Sequence, residues 1–303
     1  MILNTSLKNF LSHFDVPRPV DWDQQFPSAA PLDLEIGCGN GEFIHKLAQD
    51  NRERNFVGID QQWERICKTL NKITASDLTN VRILMVDARI ALERLLKQRS
   101  VENIYCLFPC PWPKKKHIKH RLFSSDFFRL ANSRLADQGT LKIVTDHKPY
   151  EEWILKETGS SGFFVKAHAV RPQYDTKFER KWVEGGQKEF FEIFLKKNKH
   201  INIPVKRDTD VNPCTIKKFD PKKFKFTGLT GCPAIVYKGM VWDDQKKLAM
   251  VQLVVAEKNM TQHFWASIIR TPQGWKVVAT EGMRYIPTQG IARAMQMVAE
   301  ACR

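Results

Sequence analysis

The sequence predicts an α/β fold, a mostly parallel sheet with helices on both faces, followed by a small α+β unit. Three observations carry that reading. Short apolar runs alternate with helix-period segments between residues 32 and 157. A glycine-rich turn, Gly37-Cys-Gly39-Asn-Gly41, follows the first apolar run directly. Beyond residue 196 the alternation stops and a strongly basic stretch begins. Strands that alternate with helices need crossover connections, and these make neighbouring strands parallel and cover both sheet faces.

Taken in order, residues 1–30 are polar and contain Pro17, Pro19 and Pro27, so they read as a lead-in segment without a regular element. The runs at 32–36 (LDLEI), 55–60 (NFVGID), 81–86 (VRILMV), 103–108 (NIYCLF) and 140–145 (TLKIVT) have the length and apolar content of buried strands. Helical patterns fall near 42–50, 61–75, 88–98, 125–135 and 147–157. Runs at 163–168 and 189–195 suggest a closing antiparallel hairpin, which completes a first domain over residues 1–196. Residues 196–225 hold ten Lys and Arg against three Asp with little periodicity, so 197–225 reads as a basic linker. Residues 226–303 form the small unit, with four strand-like runs and a closing amphipathic helix, IARAMQMVAEAC.

Composition narrows the partners. Of 303 residues, 43% are hydrophobic, enough for a real core, and 48 Lys and Arg against 33 Asp and Glu leave a net charge of +15. Such an excess favours a polyanion, nucleic acid before membrane. The seven cysteines are scattered without a Cys-x-x-Cys pair, so no metal site or disulfide framework is expected. No signal-like start and no 18-residue apolar stretch is seen, and a cytoplasmic protein is expected.

The glycine turn offers a cofactor site. Glycines there allow a tight turn and close approach of a ligand to the backbone. A dinucleotide site uses Gly-x-Gly-x-x-Gly to bring a pyrophosphate to a helix N-terminus. Here Gly37, Gly39 and Gly41 are spaced Gly-x-Gly-x-Gly, with Glu35 two residues ahead. A carboxylate suits a cofactor with an ammonium and a sulfonium, and S-adenosylmethionine fits better than a dinucleotide. Asp60 and Asp87 end the second and third strands, placed for a ribose diol and an adenine amino group. Taken singly, either acid could equally cap a helix.

The fourth strand runs into Leu107-Phe-Pro-Cys110-Pro-Trp112-Pro-Lys114-Lys-Lys-His-Ile-Lys-His-Arg121. Three prolines stiffen this loop, Trp112 offers a stacking face, and five Lys and Arg in the next nine residues offer phosphate contacts. These residues resemble the FPDPWPKKRHxKRR signature of bacterial tRNA (guanine-N7)-methyltransferases. EIGCGNGEF resembles that family's cofactor loop, Asp146 in IVTDH its strand-end Asp, and YDTKFERKW its Thr-x-Phe-Glu motif. The match runs over roughly residues 30–196, with the C-terminal part as an extension.

The resemblance implies a class I, Rossmann-like methyltransferase fold and methylation at N7 of a variable-loop guanine in tRNA. It assigns Glu35, Asp60 and Asp87 to the cofactor. Lys114, Asp146, Thr176, Lys177, Phe178 and Glu179 go to tRNA and its target base, with Asp146 also counted as catalytic. Asp146 and Glu179 would accept from the N1–H and exocyclic amine of guanine, although Thr176–Glu179 could also be a simple turn. One departure stands out: Cys110 occupies the place of the family's Asp, to which cofactor-binding or catalytic work is assigned. Two outcomes follow, an enzyme that still transfers methyl groups or a degenerate paralogue that only binds tRNA. The basic stretch at 196–225 is expected to grip tRNA phosphates or to act as a solvated spacer. The small unit adds RNA contacts, dimerises the chain or stabilises it, which leaves monomer and homodimer both open.

Overall fold

Strand β1 (Leu32–Ile36) is buried at all five residues and is an inner strand of a seven-stranded sheet of order β3-β2-β1-β4-β5-β7-β6. The computed structural model describes residues 5–187 and 189–302, and the chain divides into two units after Lys206. Strands β2 (Asn55–Asp60), β3 (Val81–Met85), β4 (Val101–Leu107) and β5 (Leu135–Thr145) are parallel to β1. The order grows outward from β1 to β3 on one side and from β4 to β5 on the other. That reversal between β1 and β4 opens a crevice at their carboxyl ends, the usual ligand position in such sheets.

The helices are α1 (Glu42–Asp50), α2 (Trp63–Ala75), α3 (Ala88–Ile90, continued by a π-helical turn over Ala91–Leu95), α4 (Ser125–Arg134) and α5 (Lys148–Glu157). They cover both faces, as alternation along one strand shows. Phe56 of β2 packs with Ile44, Ile66 and Leu70 of α1 and α2, whereas Val57 and Ile59 pack into a cluster with Leu92, Phe123 and Phe127. Helix α2 buries Ile66, Leu70 and Ile73 at spacings of four and three, the stripe of a helix lying on a sheet.

Two expectations need correction. The lead-in segment is part of the core: Val20, Trp22 and Phe26 are buried, and the Asn9 amide donates to the carbonyls of Leu78 and Val81. Proline content hid the i, i+4 pair Trp22 and Phe26. The closing strands β6 (Phe163–Val170) and β7 (Phe190–Lys197) do pair antiparallel, but β7 inserts between β5 and β6. A helix, α6 (Lys177–Glu184), lies between them in sequence, so the connection is no tight turn.

The second unit is an antiparallel sheet of order β8-β12-β11-β10-β9, made of β8 (Cys214–Ile216), β9 (Ala234–Asp243), β10 (Leu248–Glu257), β11 (Met260–Thr271) and β12 (Gly274–Ala279). Ala249, Val251, Leu253 and Val255 alternate along β10 and pack with Ile291, Ala294, Met295 and Val298 of α7 (Gln289–Ala301). Parts of the stretch read as a linker pack into the two cores. Ile203 packs on the first core, whereas β8 and the buried Phe219 belong to the second.

Arg134, fully buried at the end of α4, fastens that stretch to the first unit. Its guanidinium donates to the carbonyls of Leu92 (2.5 Å), Ile203 (2.8 Å) and Pro204 (3.4 Å) and to the Ser133 hydroxyl (2.8 Å). Replacing Arg134 by Met keeps the apolar stem and removes the charged donor from these acceptors, of which the Ile203 carbonyl keeps only the Ser133 hydroxyl (3.1 Å). Urea unfolding of Arg134→Met is expected to show a loss of about 3 kcal/mol.

Candidate active site

β1 carries two buried acids on one face, and they differ in one respect. Asp33 is saturated by Arg54 (2.9 and 2.7 Å) and by the backbone and side-chain nitrogens of Asn103 (3.0 and 2.9 Å). Glu35, only 4% exposed, leaves its Oε2 with no partner among the described residues. Burial pushes its carboxyl up to about 8, against a lowering by the backbone N–H of Ile44 in the first turn of α1. An unpaired buried oxygen facing a cleft asks for a cation or a donor from a ligand.

The glycine turn beside it is fixed from behind. The N–H groups of Gly37 and Cys38 donate to the Ile59 carbonyl (2.8 and 3.1 Å), and Gly39 N–H donates to Asp60 Oδ2 (3.1 Å). The Thr69 hydroxyl donates to Gly39 O (2.9 Å). Gly37 and Gly39 have φ of +76° and +56°, which side chains rarely adopt, and the nearest atom to an added Cβ is 3.8 Å away. The space over them is therefore open to a ligand. At Gly41 a Cβ would meet Thr69 at 2.6 Å, so this glycine seats α1 against α2.

A pocket of about 270 Å³ opens at this point. Of the residues singled out from the sequence, Glu35, Gly37, Gly39, Cys110, Thr176, Lys177 and Phe178 line it. Gly41, Asp60, Asp87, Lys114, Asp146 and Glu179 lie outside that lining. Asp60 is engaged with Gly39, with the N–H of Gln62 (3.0 Å) and with Arg65 (3.7 Å). Asp87 caps α3 by accepting from Arg89 N–H (2.8 Å), and it takes the Gln61 amide (2.7 Å). Asp146 stands half-buried just past β5, and burial raises its carboxyl above the usual range.

The proline loop forms the second wall. Phe108 and Trp112 sit at φ +56° and +44°, a left-handed region that is costly for residues with bulky side chains. Something must hold them there, and Arg121 does part of it. It is 6% exposed, donates to Pro111 O (2.8 Å), and lies over the rings of Tyr150 (5.1 Å) and Trp153 (4.9 Å). Counted from sequence as a phosphate contact, Arg121 is a brace. Trp112 is 36% exposed, its ring centroid 5.2 Å from that of His120. Lys114 to Lys119 remain on the surface. Cys110 is exposed at the pocket, and the buried Tyr150 hydroxyl nearby has no partner among the described residues.

The third wall is the start of α6. Thr176 accepts from Glu179 N–H (3.2 Å), and Glu179 reaches back to the N–H groups of Gln173 (2.9 Å), Tyr174 (2.8 Å) and Asp175 (2.5 Å). Thr-x-x-Glu is a capping-box pattern, and the sequence reading missed it. Both oxygens of this 2%-exposed carboxylate are taken by the backbone, which leaves the expected guanine contacts without a free acceptor there. Phe178 is 40% exposed, stacked on Trp182 at 5.6 Å, with the Arg65 guanidinium 5.9 Å from its ring. Arg65 and Thr69 carried no signal in the sequence beyond their place on α2.

Residues 29–192 match a family model described as "Putative methyltransferase". The chain is 41% identical over 173 residues to a tRNA (guanine-N(7)-)-methyltransferase of Chlorobium phaeobacteroides, covering 57% of this chain and 85% of that protein. It is 38% identical over 181 residues to the protein of that name in Thermotoga maritima, of which the match covers 58%. The match to the Aquifex aeolicus protein, 29% identical over 301 residues, covers 96% of this chain and 98% of that one. Among solved structures, the 16S rRNA methyltransferase KamB overlays with a TM-score of 0.48 at 17% identity, over 59% of this chain and 93% of that chain.

Glu35 has a measurable signature. Its carboxyl is raised from 4.5 to about 8 in the folded protein, so the native state holds a proton that the unfolded chain releases. The associated stability is fully present below pH 4.5 and is lost as pH rises to about 8. Unfolding free energy of the ligand-free protein should fall across that window. In Glu35→Gln the fall should be smaller, as read by chemical denaturation at successive pH values. An equal fall in both proteins would place the titrating group elsewhere.

Proposed function

Because the chain belongs to the tRNA (guanine-N7)-methyltransferase family, we propose that it moves the methyl group of S-adenosylmethionine to N7 of a guanine in tRNA. The observation that carries this reading is one pocket in which a buried carboxyl, one oxygen unpartnered among the described residues, and an open glycine turn face Trp112 and Phe178. Glu35 suits the cationic groups of the cofactor, which would favour its ionised form and give its free oxygen a partner. Gly37 and Gly39 leave room for the cofactor's approach to the backbone. The cofactor supplies a methyl group on a sulfonium.

The chain's own residues orient and enclose. N7 of guanine bears a lone pair and no proton, so attack requires no general base, and catalysis is chiefly alignment of the two reactants. Trp112 and Phe178, each more than a third exposed at the pocket, are placed to stack on a base. Lys177 at the pocket and Lys114 on the neighbouring loop are placed for phosphates. Asp146, half-buried at the adjoining strand end, is the acid we assign to the guanine edge. Glu179 and Thr176 act as positioning residues that fold the third wall, and Asp60 does the same for the glycine turn.

Cys110 adds no carboxylate where the resembling signature has one, yet positioning chemistry does not depend on that charge. The test is labelled methyl transfer to unmodified tRNA, mapped by cleavage at N7-methylguanine. Wild type is expected to transfer at one guanine, and Cys110→Asp to transfer at least as well. Phe178→Ala is expected to raise KM for tRNA about tenfold through lost stacking, with a smaller change in kcat. No transfer by wild type, with transfer restored in Cys110→Asp, would identify a tRNA-binding paralogue instead.

A further inference from the structure

The second unit has a groove that methyl transfer leaves without a task. It has a volume of about 620 Å³ and is bordered by the loop after β8, by the β11–β12 hairpin and by the end of α7. Its floor is aromatic. Phe219 meets Trp275 edge-on at 5.3 Å and Phe224 at 6.2 Å, and Phe224 stacks with Phe226 at 6.5 Å. Phe226 in turn stacks with Tyr237 at 5.7 Å. Phe219 is buried, whereas Phe224 is partly open and Tyr237 is 37% exposed. An aromatic row thus runs from the core to the surface.

The rim is cationic. Residues 214–226 (CTIKKFDPKKFKF) contain five lysines and one acid. Lys217, Lys218 and Lys223 line the groove, with Arg270 opposite, its guanidinium 5.4 Å from the Trp275 ring. Lys222 and Lys225 stand exposed on the same loop. Asp220 is spent on the turn, where it accepts from Lys222 N–H at 3.0 Å. None of the five lysines pairs with a carboxylate among the described residues. Unpaired like charges held together repel one another, and a folded loop that keeps them is suited to a polyanion. Cations beside partly open aromatic faces are the composition of a nucleic-acid groove, in which phosphates meet lysines and a base meets a ring. A lipid surface would take the lysines but leave a recessed aromatic floor unused.

We propose that this groove is a second RNA site: Lys217, Lys218, Lys222 and Lys223 hold phosphates of the tRNA, and Phe224 offers its face to an unpaired base. The proposal rests on tRNA being the substrate, and it adds that affinity for tRNA is divided between two places in the chain. What read as a linker in the sequence is then a recognition loop folded onto β12.

The test uses the full chain and separates the groove from the chemistry. Binding of unmodified tRNA is measured by fluorescence anisotropy at several salt concentrations, alongside methyl transfer at saturating tRNA. Replacing Lys217, Lys218, Lys222 and Lys223 together by Ala is expected to weaken binding at least about tenfold. It should also flatten the slope of log Kd against log salt by about two to four. The four Lys→Arg replacements should bind as wild type. Phe224→Leu keeps apolar volume, and it should weaken binding several-fold at every salt concentration with the slope unchanged. Because the four lysines are exposed, thermal melting of the Ala variant should match wild type, and kcat should be retained. Unchanged affinity and slope in the Ala variant would overturn the groove even if methyl transfer proceeds. Lost affinity in a chain that transfers no methyl group would uphold the groove and reject the activity. Loss of binding to anionic phospholipid vesicles, with tRNA affinity intact, would make the loop a membrane contact and overturn the proposal.

Discussion

The reversal of strand order between β1 and β4 is the constraint from which the rest of the first unit follows. Connections leaving the two strands diverge, so no helix can close over their carboxyl ends. The sheet is thereby left with an opening at a place where backbone ends and side chains converge. The other features deepen that opening. The glycine turn hugs β1, the proline loop extends β4, and the start of α6 comes in as a third wall. Glu35 completes the arrangement, because a carboxyl buried on β1 with one oxygen unpartnered among the described residues is tolerable only next to such an opening.

Holding the walls open falls to side chains other than those that line them. Asp60 and Thr69 brace the glycine turn, Arg121 braces the proline loop, and Glu179 gathers three backbone N–H groups behind α6. None of these four lines the pocket. Each instead satisfies backbone groups that an irregular, ligand-facing loop would otherwise leave exposed. The left-handed φ of Phe108 and Trp112 fits this division of labour, since strained loops persist only when their surroundings over-determine them.

The sequence was most legible where one physical signal dominated. Buried parallel strands require unbroken apolar runs, and the five read from the sequence correspond to β1 to β5, although β5 begins earlier, at Leu135. The glycine spacing located the turn, and prolines with lysines located the loop. Legibility failed where a residue type serves two masters. An Asp at a strand end can meet a cofactor or cap a helix, and only the bond from Asp87 to Arg89 N–H showed the capping. Arg121 and the exposed lysines count alike as charge, yet one is a buried brace. Thr176 and Glu179 form a local Thr-x-x-Glu pattern whose side chains suit a base as well as a helix start, and their bonds to backbone N–H groups show the helix start. Composition marked residues 197–225 as a linker because nine Lys and Arg face three Asp there and apolar periodicity is weak. Phe219, Phe224 and one short strand were enough to fold its second half.

Arg134 shows what that misplaced border implies for anyone dividing the gene. Lys197 ends the last strand of the first sheet, and the basic composition begins there, so it invites a cut. Yet the carbonyls of Ile203 and Pro204 lie beyond it, and they receive a guanidinium buried at the end of α4. A fragment ending at the compositional border keeps the cation and discards two of its four acceptors. One ending at Lys206 keeps both. The seam along which a protein can be cut is thus set by where its hydrogen bonds close.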